Sequence, residues 1–427
     1  MPPDIIVIDG VMGAGKTTHI INEINKGVMQ RYIYVTPFLD EVERIKLACP
    51  MHDFKEPKSL DGRKLKGLKE LVDSNANIAT THALLSLMDN ELITLLHSKD
   101  YTLVIDETLE SSSIEYVSPI ARQLIAQTQC VSICPETAKA TWDSFAFPST
   151  EGNEEFDRIR KQCDCEALYW LPRNREKGDG FIAWHFPAKA FACFSKVYIL
   201  TYQFEGSPMD AYMRLQALEY RIDNRFSDLD TESRTRFKAL INFMDSQSPW
   251  VTDLDDYALS RSWFMRDKEK RIKQVSATLK TLCNKHKVTS KEAMWTSFKE
   301  PAKEIATSKM VLSKPVPPEA SEARKRRCNF VPCNSRATNR HGERSVLFYL
   351  ANRFPNLELE QYFKSRGLPL DRDRFALNEM LQWIFRSRIR NGEPIKLFAP
   401  SPRMRGLLED WLNGDDLKSE SSLSHAA

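Results

Sequence analysis

Glycine is scarce, at 15 of 427 residues, about half the usual share of ~7%. So low a content excludes a collagen-like repeat and a Gly-rich low-complexity chain. No apolar run approaches the ~20 residues needed to span a bilayer, so no membrane partner is expected. The opening, Met-Pro-Pro-Asp-Ile-Ile-Val-Ile-Asp-Gly, lacks a basic region followed by a long apolar stretch. It is expected to be a strand rather than a secretory leader. Zinc-type spacing is also missing. Cys163 and Cys165 form a lone C-x-C, Cys328 and Cys333 lie five apart, and no second C-x-x-C or His pair completes a tetrahedral set. The nine cysteines are therefore expected to be buried free thiols in a reduced, cytoplasmic compartment.

What is present suffices for a packed protein. The chain is 42% hydrophobic and 10% aromatic, which excludes wholesale disorder. Its length exceeds the ~250–300 residues at which single cores stop growing, so two domains are expected. The net charge of +3 hides an asymmetry. Residues 258–410 hold 32 Lys+Arg against 16 Asp+Glu, and the remainder holds 29 against 42. A basic half of +16 favours a polyanionic partner, with solvated helix faces as the alternative.

Three of the 15 glycines fall between positions 10 and 15. Asp4 to Asp9 is a continuous apolar run typical of a buried parallel strand. Gly10-Val11-Met12-Gly13-Ala14-Gly15-Lys16-Thr17 then matches G-x-x-x-x-G-K-[ST] at every fixed position. Thr18 follows, with Ile20, Ile21 and Ile24 on one helical face. Strand, loop and helix form the context a phosphate-binding loop requires. Its backbone N–H groups, from Gly10, Gly13, Ala14, Gly15, Lys16, Thr17 and Thr18, converge on phosphate oxygens at a helix N-terminus. Lys16 is expected to reach the β- and γ-phosphates of ATP, and the Thr17 hydroxyl to ligate Mg²⁺.

A second apolar strand, Tyr101 to Ile105, ends in Asp106-Glu107, the pattern of a Walker B element. Asp106 would hold Mg²⁺ and Glu107 would orient and deprotonate water; the alternative is a carboxylate pair capping a turn. The adjacent Glu favours hydrolysis over transfer to a sugar. Between these elements, Tyr32 to Pro37 precedes a helical stretch from Leu39 to Leu47. Asn77 to His82 precedes Ala83-Leu84-Leu85. Both end in Thr-rich turns at helix starts, where backbone phosphates can bind. His82 alone is better read as a hydrogen-bonded loop residue than as a ligand.

The first stretch, Ile8 to Thr18, is similar to the opening of thymidylate kinases, which are about half this length. Taken in order, the elements resemble superfamily 2 helicases, in particular the divergent helicase-like proteins of tailed bacteriophages and prophages. Gly10–Thr17 looks like motif I, Val35-Thr36-Pro37 like motif Ia, Ala79-Thr80-Thr81-His82 like motif Ib and Asp106-Glu107-Thr108-Leu109 like motif II. Tyr198-Ile199-Leu200-Thr201-Tyr202 stands where motif III lies, keeping only Thr201 of the usual Ser/Thr-Ala-Thr. Ala293 to Lys299 looks like motif IV, Cys328 to Cys333 is another short strand, and Asn334 to Asn339 stands at motif V. Gln382-Trp383-Ile384-Phe385-Arg386-Ser387-Arg388-Ile389-Arg390 is similar to motif VI, Gln-x-x-Gly-Arg-x-x-Arg, with Phe385 in place of Gly and the last Arg one residue late. On a continuous helix Arg386 and Arg390 share a face over a core of Met380, Ile384 and Trp383. Arg388 lies off that face, suited to nucleic acid or solvent.

The resemblance implies an α/β fold of two RecA-like P-loop lobes with parallel sheets. The first lobe is expected over 1–205 with an insertion at about 112–195. A helical linker or clamp follows over 206–278, where Leu215, Leu218 and Ile222 have helical spacing. The second lobe is expected over 279–410 and a disordered tail over 411–427. Pro315-Val316-Pro317-Pro318 precedes the cluster Arg324-Lys325-Arg326-Arg327, either a solvated loop or a backbone-binding arm. The implied activity is ATP-driven helicase or translocase action at the cleft between lobes, with Lys16, Glu107, Gln382, Arg386 and Arg390 catalytic and Asp106 and Thr17 on Mg²⁺. Thr36, Thr81 and Thr338 would face DNA, with RNA also open, and phage or host replication or recombination proteins as partners. If the chain is phage-encoded, its compartment is the host bacterial cytoplasm. Two other classes stay open: a P-loop nucleotide kinase, and a nucleic-acid-binding regulator with a vestigial ATPase.

Overall fold

The computed structural model describes residues 2–27, 29–150, 152–174, 179–312, 328–333 and 340–415, and the side chains of 172–174 and 179 lie outside that description. Two compact units emerge. One comprises Met1–Gly10, Gly15–Phe226 and Asn356–Leu370; the other comprises Val11–Ala14, Ser227–Pro355 and Asp371–Ala427.

The first unit begins with β1 (Asp4–Asp9), α1 (Lys16–Lys26), β2 (Arg31–Thr36), α2 (Leu39–Ala48), α3 (Lys64–Asp73), β3 (Ile78–Thr81), α4 (His82–Leu85), α5 (Asn90–His97) and β4 (Tyr101–Asp106). The chain next builds β5 (Ser112–Glu115), α6 (Pro119–Thr128), β6 (Val131–Ile133), β7 (Ala140–Trp142), α7 (Glu154–Asp164), β8 (Leu168–Asn174) and β9 (Asp179–His185). It continues through α8 (Ala188–Phe191), β10 (Phe194–Thr201), α9 (Pro208–Leu215) and β11 (Arg221–Asp223). The main sheet has the order β11-β1-β10-β4-β2-β3, and each pairing in it is parallel. Its strands are mostly apolar, as in parallel sheets that helices cover. Val7, Ile33, Leu103, Ile105, Val197 and Ile199 are buried in one cluster with Leu68, Leu92 and Phe191.

The excursion between β4 and β10 carries its own antiparallel sheets, β5-β9-β8 and β6-β7. Its core joins Trp142, Phe156, Ile159 and Trp170. The Ser112 hydroxyl lies 2.6 Å from Nδ1 of His185, and burial pushes that imidazole down to about 3. Neutral His185 packs against the rings of Tyr169 and Tyr362. Tyr362 belongs to the helix Leu357–Ser365, which buries Leu359 and Phe363 in the first unit's core. Residues 356–370 thus group with the first unit, not with a second lobe running from 279.

The second unit contains α10 (Asp228–Leu240), β12 (Ile241–Phe243), α11 (Pro249–Thr252), α12 (Arg261–Arg266), α13 (Lys268–Lys285), β13 (Ala293–Thr296), α14 (Lys299–Ile305), β14 (Val346–Tyr349) and β15 (Ile395–Phe398). Its parallel sheet runs β12-β15-β14-β13. The helices Arg372–Ile384 and Pro402–Asn413 belong to it. The expected helical linker over 206–278 is not uniform. Leu215 ends α9, whereas Ile222 lies on β11, paired with Val7 of the first sheet. Ile241 lies on β12, an edge strand of the second sheet. Helical spacing across Leu218 and Ile222 is accidental, because Ala217 at φ +50° breaks the helix.

The stretch around Asn329 forms one parallel bridge, Trp295 to Phe330, rather than a strand. Asn329 is fully buried. Its Oδ1 accepts from Trp295 Nε1 (3.0 Å) and Val311 N (2.7 Å). Its amide nitrogen donates to the carbonyls of Ser290 (3.0 Å) and Lys309 (2.7 Å). Asn329→Ala leaves these groups without that partner, so it is expected to destabilise the second unit by about 2–4 kcal/mol. A fall in urea midpoint at unchanged slope checks this; an unchanged midpoint would show that water replaces the side chain.

Candidate functional site

The carboxyl ends of the central strands lie in register. Asp9 of β1 pairs with Thr201 of β10, and Leu200 pairs with Asp106 of β4. Ligands of open parallel sheets gather at this edge. The loop Gly10–Gly15 leaves β1 here, and α1 begins at Lys16. Gly15, the residue before that helix, sits at φ +92°, ψ 13°, which a side chain would resist. No side chain caps the helix start, and the positive end of its dipole favours an anion there. Gly10 is needed for a different reason: a Cβ there would stand 2.6 Å from Cβ of Phe226.

Lys16 folds back so that Nζ donates to the Gly10 carbonyl. A phosphate would be a stronger, charge-assisted acceptor than that neutral oxygen. The Thr17 hydroxyl lies 3.2 and 3.3 Å from the two carboxylate oxygens of Asp106. A hydroxyl and a carboxylate together are hard oxygen donors, the type that supports Mg²⁺ with substrate phosphates and water completing its shell. Among the described residues no group of three or more His, Cys, Asp or Glu could hold a metal. Thr18 lies one residue further along α1. Gly13 also adopts a positive φ, and the Ala14 N–H donates to the Val11 carbonyl at 3.2 Å.

Asp106 has further partners that the sequence did not single out. The hydroxyl of fully buried Tyr34 donates to Oδ2 at 2.8 Å, and Arg44 lies 4.0 Å away. Desolvation pushes the Asp106 carboxyl above the usual carboxylate value, although Tyr34, Arg44, Lys16 and Thr17 oppose it. His82 hydrogen-bonds the Asp106 carbonyl at 3.0 Å, so it is a structural partner, as its isolation suggested. Glu107 follows at φ +64°, a left-handed conformation costly for a non-glycine residue and found where surroundings over-determine the backbone. Asp9 accepts from the N–H groups of Gln203 (2.9 Å) and Phe204 (2.8 Å), which pins the turn after β10. Tyr34, Arg44 and Phe226 escaped sequence reading because a strand tyrosine, a helix arginine and a loop phenylalanine carry no motif.

Two of the polymer-facing candidates are placed by the described residues. Thr36 is fully buried, with Oγ1 3.4 Å from the Phe38 N–H. It therefore holds the turn after β2, with its hydroxyl shielded from solvent. Thr81 ends β3 half-buried. Thr338, the rest of Asn334–Asn339, the Pro315–Pro318 stretch and the cluster Arg324–Arg327 lie outside the described residues.

In the second unit the helix carrying Gln382 ends at Ile384. Ser387 is extended and caps a separate short 3-10 turn, Arg388–Asn391. Arg386 and Arg390 therefore do not share one continuous helical face. The core expectation does hold: Met380, Trp383 and Ile384 are buried, and Trp383 Nε1 donates to the Val331 carbonyl at 2.9 Å. Arg386 is buried, and Gln382 donates to Asn378 at 3.1 Å. Arg388 is half-buried, and its Nε donates to the Pro394 carbonyl at 2.6 Å.

Fold and loop together define a P-loop α/β protein. The profile of the YonV C-terminal Rossmann-like domain matches residues 235–412. A relative from Bacillus subtilis (strain 168), the SPbeta prophage-derived uncharacterized protein YonV, is 34% identical over 427 residues, covering 95% of this chain and 98% of its own. The chain belongs to the YonV family. Among solved structures, similarity extends to S. tokodaii Xpd4 (11% identity, TM-score 0.49, 97% of this chain and 95% of that one). An XPD helicase matches at 10% and 0.46, covering 97% of this chain and 95% of its own. The DUF1998 helicase MrfA bound to DNA matches at 10% and 0.38, covering 98% of this chain and 47% of its own. At these identities and TM-scores the likenesses carry no functional argument.

Two outcomes follow from the geometry. Asp106→Asn removes a charge whose burial the fold disfavours, so the ligand-free protein should melt higher at pH 7. Because the folded carboxyl binds its proton more tightly than the unfolded one, this advantage should shrink as pH falls through the folded value and vanish below the unfolded one. Melting curves between pH 4 and 8 check both sign and direction. Gly10→Ala should weaken binding of a fluorescent ATP analogue by ~10-fold or more, and Phe226→Gly in the same chain, which removes the Cβ that the new methyl would strike, should recover much of it. Additive losses would show that the clash with Phe226 is not the obstacle.

Proposed function

We propose that this protein is an ATP-dependent helicase or translocase acting on DNA, with RNA as the less favoured polymer. The carrying observation is the Thr17 hydroxyl 3.2 Å from Asp106 at the end of the phosphate loop, with Glu107 following Asp106 in the chain. Lys16 would leave the Gly10 carbonyl for the β- and γ-phosphates, and the uncapped start of α1 would hold their oxygens. Thr17 and Asp106 would hold Mg²⁺, which supplies charge neutralisation at the phosphates when bound. Glu107 would take a proton from the attacking water. Arg386 and Arg390 would stabilise developing charge on the γ-phosphate, a role that Gln382 would help position.

The basic half supports a polyanionic partner, but its excess is partly structural. Arg403 is tied to Asp373 at 2.7 Å and to Asn352 at 2.8 Å. Arg353 pairs with Glu379 at 3.1 Å, and Arg344 is buried against backbone carbonyls of residues 290–291. Among the described residues no helix is long and apolar enough to cross a membrane. Phage or host replication or recombination proteins would be the partners of such an enzyme.

ATP turnover should rise on adding single- or double-stranded DNA, and DNA affinity should fall with salt. Lys16→Ala should abolish turnover, Glu107→Gln should reduce kcat ~10²-fold or more, and Arg386→Ala should cost ~10³-fold. Turnover that ignores nucleic acid and survives Glu107→Gln would sink the proposal. Label transfer from ATP to a nucleoside monophosphate would identify a kinase instead.

A further inference from the structure

The opposite end of α1 from the phosphate loop borders a second cavity, of about 570 Å³. Eleven helical residues separate the two ends, about 16 Å along the axis. Buried Ile20 and Ile24 of α1, Val104 of β4 and Tyr32 of β2 form apolar and aromatic lining. The lining also includes Lys196 and Tyr198, two positions apart on β10 and therefore on one face of the sheet. Both are half-buried, and the Lys196 ammonium lies 5.8 Å from the Tyr198 ring centroid.

These two residues break the rule for their position. β10 is an internal strand between β1 and β4, and internal parallel strands are apolar on both faces. The opposite face of the same strand obeys: Val197 and Ile199 are fully buried. Among the described residues Lys196 makes no ion pair and the Tyr198 hydroxyl no hydrogen bond, in contrast to Lys26 at the rim, which pairs with Glu23 at 2.9 Å. Gly27 ends α1 where a Cβ would stand 2.7 Å from the Tyr32 hydroxyl, which is held by Gln30 at 2.7 Å. Glu23 and Lys26 also line the cavity but neutralise each other, so a cation without an ion pair and a phenol beside Ile20, Ile24, Val104 and Tyr32 form a site that fixes an anionic group and stacks a ring.

We propose that this cavity binds a small aromatic anion, with Lys196 holding the carboxylate or phosphate and Tyr198 and Tyr32 flanking the ring. The site is separate from the phosphate loop and does not depend on the helicase reading. Phenylacetate and phenyl phosphate, titrated into the full-length protein by calorimetry or ligand-observed NMR, distinguish the two anion types. Acetate and phenylacetate methyl ester serve as controls lacking ring or charge. Saturable binding of at least one aromatic anion is expected, with both controls silent. Lys196→Gln should weaken binding at least tenfold and Tyr198→Ala should also weaken it, whereas Lys16→Ala should leave it unchanged. Absence of saturable binding to wild-type protein would overturn the proposal without recourse to any variant. So would binding undiminished in a folded Lys196→Gln or Tyr198→Ala protein, or binding lost in Lys16→Ala.

Discussion

Everything at the candidate site depends on strand β10 taking its place between β1 and β4. The chain leaves the sheet at Asp106 and returns at Phe194, after building two antiparallel sheets on the way. It must then insert between two strands already present in the sequence, with Leu200 opposite Asp106 and Thr201 opposite Asp9. A slip of one residue would exchange the faces of Val197 and Ile199 with those of Lys196 and Tyr198. The burial of the first pair fixes the register, and the register sets the spacing between the phosphate loop and the acidic strand end.

That spacing places a carboxylate where burial disfavours its charge. Asp106 is held there by Tyr34, Arg44, Lys16 and Thr17, which together do not offset desolvation. Glu107 beside it adopts a left-handed backbone. A disfavoured charge and a strained residue at one strand end oppose stability, and the surrounding parallel sheet over-determines both. Such concentrations of unfavourable local choices are characteristic of sites kept for chemistry rather than for packing.

The second unit qualifies the charge asymmetry in the same physical terms. Arg403, Arg353 and Arg344 satisfy buried acceptors and carboxylates, so a count of cations overstates the surface available to a polymer. The arrangement around Gln382 departs from an uninterrupted helix because Ser387 is extended and caps a new turn. Arg386 thereby lies in the connection after that helix and Arg390 in the 3-10 turn.

The sequence by itself determined what is local. Asp4–Asp9, the loop and Ile20 and Ile24 of α1 follow from apolar runs, glycine placement and helical spacing; the apolar strand into Asp106-Glu107 follows likewise. Only tertiary structure decided what depends on distant pairing. It buried Thr36, drew Tyr34 and Arg44 to Asp106, set Phe226 behind Gly10 and added Leu359, Tyr362 and Phe363 to the first unit's core. The reason is one of range: periodicity and turn chemistry act over a few residues, whereas those contacts join segments tens to hundreds of positions apart, where a side chain's type says little about its neighbour.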